Sequence, residues 1–231
     1  MGKRYDKPIV KILAFNAMVA SLQRPDVKTT QWVILEGISW STFQTILQEM
    51  GDHRASRLAY DSGILEIAMP SSLHEIINRL LDRIIIALTE ELNLKIKAYG
   101  STTLTREDLE KGVEPDSCYY IQKADQLLAR KLDLAVDPPP DLAVEVDITS
   151  SSQRRFSIYR QLQIPEVWRY TQDNGVIIYR YGQDNYEACE VSPTFSMITG
   201  EVLMDFLELA NTEDDNSVIR SLRKWLAELR N

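Results

Sequence analysis

Two short stretches carry the carboxylates that could do chemistry: Glu114-Pro115-Asp116 and the run Asp141-Leu142-Ala143-Val144-Glu145-Val146-Asp147-Ile148-Thr149. In the second, Leu142, Val144, Val146 and Ile148 alternate with Asp141, Ala143, Glu145, Asp147 and Thr149, which is the period of a strand. One face is apolar, and the other sets Glu145 beside Asp147. Neighbouring carboxylates on an otherwise apolar strand are costly to keep unless a cation, a basic side chain or water satisfies them. A metal site is the first expectation; a half-exposed strand whose polar face meets solvent is the second, and the residues alone leave both open.

Elements must hold these acids in place. Trp40, Phe43, Ile46, Leu47 and Met50 have helical spacing, with Ser39 or Ser41 as N-cap and Gly51 as the stop. Arg57 to Tyr60 and Ile64 to Met69 flank Asp61-Ser62-Gly63 and read as a hairpin. Residues 72–92 read as a core helix, with Leu73, Ile76, Ile77, Leu80, Leu81, Ile84, Ile85, Leu88 and Leu92 on one broad face. Its first residues, Ser72-Leu73-His74-Glu75, fit a capping box that would occupy Glu75, and His74 reads as a surface imidazole near a helix start. A strand is expected over 101–104. Pro115 is tolerated at the entry to a strand, so Asp116 sits at a strand mouth, and Pro138-Pro139-Pro140 stiffens the approach to the acidic strand.

Beyond that strand, Ser150, Ser151 and Ser152 offer N-caps for a helix with Phe156, Tyr159 and Leu162 inward and Arg154, Arg155 and Arg160 outward or sideways. It ends before Pro165. Residues 167–170, 176–180 and 186–191 are short strands joined by turns at Asp173-Asn174-Gly175 and Gly182-Gln183-Asp184-Asn185, forming an antiparallel meander. Two helices follow. In the last, Val218, Leu222, Trp225, Leu226 and Leu229 form a stripe that either packs on the body or serves a second copy, which places a homodimer among the expectations.

With 231 residues, 44% hydrophobic and 26% charged, the chain is expected to be globular, with an extension over 1–30, a main domain over 31–210 and a terminal helix over 211–231. A net charge of −8 opposes broad attraction to nucleic acid, so such a partner would need a local basic patch. Cys118 and Cys189, without a CxxC spacing, give neither a disulfide framework nor a zinc site, and a reducing cytoplasm fits. The apolar run over 12–20 after Lys3 and Arg4 is too short and too interrupted for a secretory signal. No stretch has the apolar length of a membrane span.

In order and spacing, Met69-Pro70-Ser71-Ser72-Leu73-His74-Glu75, Gly112-Val113-Glu114-Pro115-Asp116, Leu142-Ala143-Val144-Glu145-Val146 and Tyr159 before Ile164-Pro165-Glu166-Val167-Trp168 resemble the bacterial Uma family of restriction-endonuclease-type proteins. The resemblance runs from about Glu36 to Leu209. It implies an α/β fold with a restriction-endonuclease-like core, a mixed β-sheet flanked by helices, and extra N-terminal and C-terminal helices. It also implies a divalent-metal-dependent DNA endonuclease, in which Asp116, Glu145 and the backbone carbonyl of Val146 hold Mg2+ or Mn2+ and Glu75 adds an outer-sphere carboxylate. Two departures stand out. The signature of the wider superfamily has lysine where this chain has Asp147, and the lysine that the Uma family takes from the following helix corresponds to Arg155. A guanidinium can hold a phosphate oxygen but cannot act as a base. Asp147 is then an added ligand or a partner of Arg154 or Arg155. The alternative is a catalytically degenerate nuclease fold that binds DNA or a protein without cleavage.

Overall fold

The computed structural model describes residues 10–11, 31–51, 55–127, 132–148 and 152–230. The extension expected over 1–30 lies outside them apart from β1 (Val10–Lys11), as do Ser150 and Ser151. In chain order follow β2 (Gln31–Glu36), α1 (Trp40–Met50), β3 (Arg57–Asp61), β4 (Ile64–Met69), α2 (Ser72–Glu91), β5 (Lys97–Ala98), β6 (Leu104–Arg106), β7 (Lys111–Val113) and β8 (Ser117–Tyr120). The chain continues through β9 (Leu142–Asp147), α3 (Gln153–Leu162), β10 (Glu166–Thr171), β11 (Gly175–Gly182), β12 (Asn185–Cys189), α4 (Gly200–Leu209) and α5 (Asp215–Leu229).

The α/β class is as the resemblance implies, with the strands sorted into two sheets. One runs β1-β2-β4-β3-β7-β6, and the other runs β12-β11-β10-β9-β8-β5. Every described pairing is antiparallel except β9 with β10, which α3 joins as a crossover. The acidic strand β9 is the centre of the second sheet, and all six of its residues are buried. Its apolar face, Leu142, Val144 and Val146, packs with Leu81, Ile84, Ile85 and Leu88 of α2 and with Trp168 of β10. The other face is not open to solvent as the half-exposed alternative required. There Ala143 packs with Ile158, Tyr159 and Leu162 of α3 and with Ala59 and Val113 of the first sheet. Glu145 and Asp147 share that face by the strand period, so two layers of protein cover them.

Helix starts follow side-chain chemistry. Ser39 caps α1 by accepting from Thr42 N–H, and Gly51 ends it at φ 66°. In α2 the cap is Ser71, whose hydroxyl accepts from His74 N–H at 3.2 Å. The N-cap is thus one residue before the Ser72 of the anticipated capping box, and the third helical residue is His74 rather than Glu75. Val218, Leu222 and Leu226 of α5 are buried in the same cluster as α2 and α4, while Leu229 stays exposed. Most of the stripe that raised a homodimer is therefore covered by the chain itself. Among the described residues no helix is long and apolar enough to cross a membrane.

Candidate active site

Asp116 stands at the mouth of β8, tied to β9 by its own N–H donating to the Val144 carbonyl at 3.1 Å. Its Oδ2 accepts from Val146 N–H at 2.8 Å and lies 2.8 Å from His74 Nε2. Asn78, one helical turn beyond His74, donates to the Asp116 carbonyl at 3.3 Å. Oδ1 of Asp116 accepts no hydrogen bond among the described residues. His74 is 3% exposed, which overturns its reading as a surface imidazole, and its Nδ1 is buried without a hydrogen-bond partner.

Glu145 is held from α3. Arg155 Nη1 donates to Oε2 at 2.8 Å, and the Tyr159 hydroxyl donates to Oε1 in a very short hydrogen bond. Arg155 and Tyr159 stand one helical turn apart, so both reach the same carboxylate. Arg155 does not point outward or sideways into water. It is buried, and its Nε and Nη2 donate at 3.3 and 3.2 Å to Oε1 of Glu66 in β4. One guanidinium thus bridges acids from the two sheets.

Asp147 pairs with neither Arg154 nor Arg155. Its Oδ2 accepts from Arg169 Nε at 2.7 Å and from both the N–H and the hydroxyl of Ser152 at 2.9 Å. That commitment explains why Ser152 starts α3 without a side-chain cap. Glu75, with its side chain 40% exposed, has Oε1 3.5 Å from Arg57 Nη2 and 3.7 Å from His74 Nδ1. Glu114 is structural, since its carboxylate accepts from Leu58 N–H at 2.8 Å and from the Thr103 hydroxyl at 2.5 Å.

The predicted residues Asp116, Glu145, Val146 and Arg155 therefore meet in one buried cluster, with Glu75 at its rim. Sequence reasoning missed Glu66, His74 as a contact of Asp116, and Arg169. Glu66 carried a signal, being the one acid within the apolar run 64–69. The electrostatics of the two central acids diverge. Burial pushes Asp116 up, but the His74 hydrogen bond and charge, Arg155 and Val146 N–H outweigh it and hold the carboxyl below its usual range. Glu145 is pushed up to about 8 by burial, aided by the charges of Asp116 and Asp147 and opposed by Arg155. For Arg155 burial acts against the charge, yet the surrounding carboxylates raise it, so it stays protonated.

These donors suit a hard cation. They are carboxylate oxygens: Oδ1 of Asp116 is engaged by no hydrogen bond among the described residues, while both oxygens of Glu145 accept from Arg155 and Tyr159. No group of three His, Cys, Asp or Glu side chains among the described residues could hold an ion by itself. A cation held here would have to keep several waters, as Mg2+ does, beside the charge that Arg155 already supplies.

The family model described as "Putative restriction endonuclease", named Uma2, matches residues 40–211. The chain belongs to that family. A comparison with curated proteins returns no match. Among solved structures, the chain is similar to a putative nuclease of the DUF820 group from Anabaena variabilis, with a TM-score of 0.52 and 17% identity over 73% of this chain and 98% of that one. At that identity the likeness speaks for the fold.

Proposed function

We propose that this Uma2 protein is a divalent-metal-dependent endonuclease that hydrolyses phosphodiester bonds in DNA. The observation that carries the reading is the convergence of Asp116 and Glu145 in one buried cluster, each carboxylate oriented by a different helix. His74 and Val146 N–H fix Asp116 through Oδ2 and leave Oδ1 to coordinate. Tyr159 fixes Glu145, and Val146 follows Glu145 directly in β9. Asp116, Glu145 and the Val146 carbonyl would hold Mg2+ or Mn2+, which when bound would offset charge at the phosphoryl oxygens and make a water more acidic. Arg155 cannot take a proton and instead holds a phosphate oxygen when DNA displaces it from Glu145 or Glu66. Glu75, exposed at the rim, orients water from outside the coordination sphere. Cys118 and Cys189 are both free thiols, which supports a reducing cytoplasm.

The test is supercoiled plasmid incubated with Mg2+ or Mn2+ over a range of salt. Wild-type protein is expected to nick or linearise it, Asp116→Ala and Glu145→Gln to leave it intact, and chelation to stop the reaction. Plasmid left intact by wild-type protein in both metals, or cut equally by Asp116→Ala, overturns the reading.

One observation favours a second reading, a nuclease fold that binds without cutting. Arg155 already neutralises Glu145 and Glu66 and closes the cluster as an ion-pair network. Calorimetric titration with Mn2+ separates the two. Binding that is lost in Glu145→Ala counts against the second reading.

A further inference from the structure

Beside the acid cluster lies a cavity of about 370 Å3 between α3 and the strands β10 to β12. It is lined by Gln153, Phe156, Ser157, Arg160, Arg169, Tyr179, Asn185 and Tyr186. The two guanidinium groups are the charged members of this lining, and no carboxylate joins them, in a chain whose net charge is −8. Arg160 is exposed and makes no ion pair among the described residues.

The walls are aromatic and rigid. Phe156 stands nearly perpendicular to Tyr179, at 78° with ring centroids 4.9 Å apart, and to Tyr186, at 77° and 5.2 Å. All three rings are partly buried, and Tyr186 is pinned by its hydroxyl donating to the Ile164 carbonyl at 2.6 Å. An aromatic corner of this kind accepts either a cation or a flat π system. Arg160 decides between them, because a cationic guest would meet its charge, which no ion pair among the described residues offsets, whereas that of Arg169 is offset by Asp147.

A planar ring with an anion attached satisfies both halves of the lining. The rings offer stacking faces, the guanidinium groups bind phosphate, and the amides of Gln153 and Asn185 carry both donors and acceptors for a base edge. The volume lies at the small end of ligand pockets, about 300–1,000 Å3, and suits one nucleotide rather than a duplex.

Position links the cavity to the cluster. Arg169 is the register partner of Glu145 on the adjacent parallel strand, one interstrand spacing away, about 4.8 Å. Its Nε is fixed by Asp147, so the residue standing where the superfamily has lysine aims this arginine. A nucleotide seated in the cavity therefore has its phosphate within reach of the acids.

We infer that the cavity is a subsite for one unpaired nucleotide of the strand being cut, its base against Phe156, Tyr179 and Tyr186 and its phosphate on Arg160 and Arg169. The inference rests on the nuclease reading for its substrate and narrows that substrate to DNA that presents an unpaired base next to the scissile bond, as the locally opened strands of supercoiled plasmid do.

The test is binding in chelator, so that nothing is cut. A fluorescent oligodeoxythymidylate of about 12 nucleotides, within the span of single-strand sites, is titrated by anisotropy beside a duplex of the same length. Wild-type protein is expected to prefer the single strand. Phe156→Leu, which keeps an apolar side chain but removes the ring, is expected to weaken single-strand binding about 5- to 150-fold, the range for losing one base–aromatic stack. Arg160→Glu, on the surface, is expected to weaken it at least as much. Arg220→Glu, exposed on α5, serves as the charge control and is expected to leave it within about twofold, surface changes away from a site being nearly neutral.

Equal binding by wild type and both cavity variants overturns the subsite, as does a loss in Arg220→Glu equal to that in Arg160→Glu. The plasmid assay separates this from failure of the nuclease reading. If wild type cuts plasmid while the cavity variants bind the single strand normally, the subsite is wrong and the nuclease stands. If the cavity variants lose binding while no metal supports cutting, the subsite stands and cleavage is wrong.

Discussion

Arg155 is the residue on which the centre of this molecule turns, because a single guanidinium offsets Glu145 from one sheet and Glu66 from the other. Removing one partner of a buried ion pair leaves an uncompensated charge, at a cost of about 3–5 kcal/mol. Near neutral pH, where Glu145 is protonated, the charge left uncompensated is that of Glu66, so Arg155→Met is expected to lower the unfolding free energy by about that amount in urea titrations, and Arg155→Met combined with Glu66→Gln to recover part of it. A cost below about 1 kcal/mol for the single variant would mean that the network is not closed in solution. Glu145 yields a pH dependence whose sign can be worked out. Its carboxyl titrates near 8 in the fold against a usual 4.5, so its protonated form is the one the fold prefers. The contribution to stability is complete below about pH 4.5 and is lost as pH rises through about 8, at no more than about 1.4 kcal/mol per pH unit. Metal-free protein is expected to show this decline in denaturation curves taken between about pH 5 and 8, and Glu145→Gln to flatten it. Asp116, Glu145 and Arg155 were legible because their types sit in a recognisable order along the chain. His74 and Arg169 were not, because a lone histidine or arginine gains meaning only from a carboxylate that folding brings beside it, some 42 residues away for Asp116 and 22 for Asp147.

Helices and hairpins were legible wherever the period was clean, as in α1, α2 and the turn at Asp61-Ser62-Gly63 between β3 and β4. The division into two sheets was not. It depends on pairings such as β3 with β7 and β8 with β9, whose partners are far apart in sequence and carry no local signal. The same division explains why the polar face of β9 and the Arg155 side of α3 are buried, since the first sheet covers both. The start of α2 was placed one residue late because two serines stand in a row and only the hydrogen bond to His74 N–H tells them apart. Ser71→Ala is accordingly expected to cost about 1 kcal/mol, seen as a lower midpoint in thermal or urea unfolding. An unchanged midpoint would remove Ser71 as the cap. At the start of α4, Gly200 packs so closely on β11 that a Cβ would lie 2.1 Å from the Val176 carbonyl oxygen. Backbone cannot step aside as a side-chain tip can, so Gly200→Ala is expected to cost at least about 1–3 kcal/mol, the range for overpacking. Full stability in that variant would show that α4 docks less tightly than this.

For the whole molecule the governing quantity is charge, −8 over 231 residues, on a protein read as acting on a polyanion. Long-range attraction is opposed, so recognition must come from short-range contacts in a small place, and the arginine–aromatic cavity beside Glu145 is such a place. Its consequence is measurable. Binding that neutralises Z phosphates of a single strand releases counterions with a slope of about −0.7Z in log affinity against log salt concentration. Two arginines at the cavity give a slope of about −1.4, far shallower than the value near −10 of a protein that binds through a broad basic surface. Repeating the single-strand titration across a decade of salt is expected to give that shallow line, with Arg160→Glu flattening it further and Phe156→Leu shifting it downward at nearly unchanged slope. The last contrast is the sharper one, because stacking is insensitive to salt while phosphate contacts are not. A steep slope in wild-type protein would place the contacts on basic residues outside the cavity and make the site an extended groove rather than a single-nucleotide pocket.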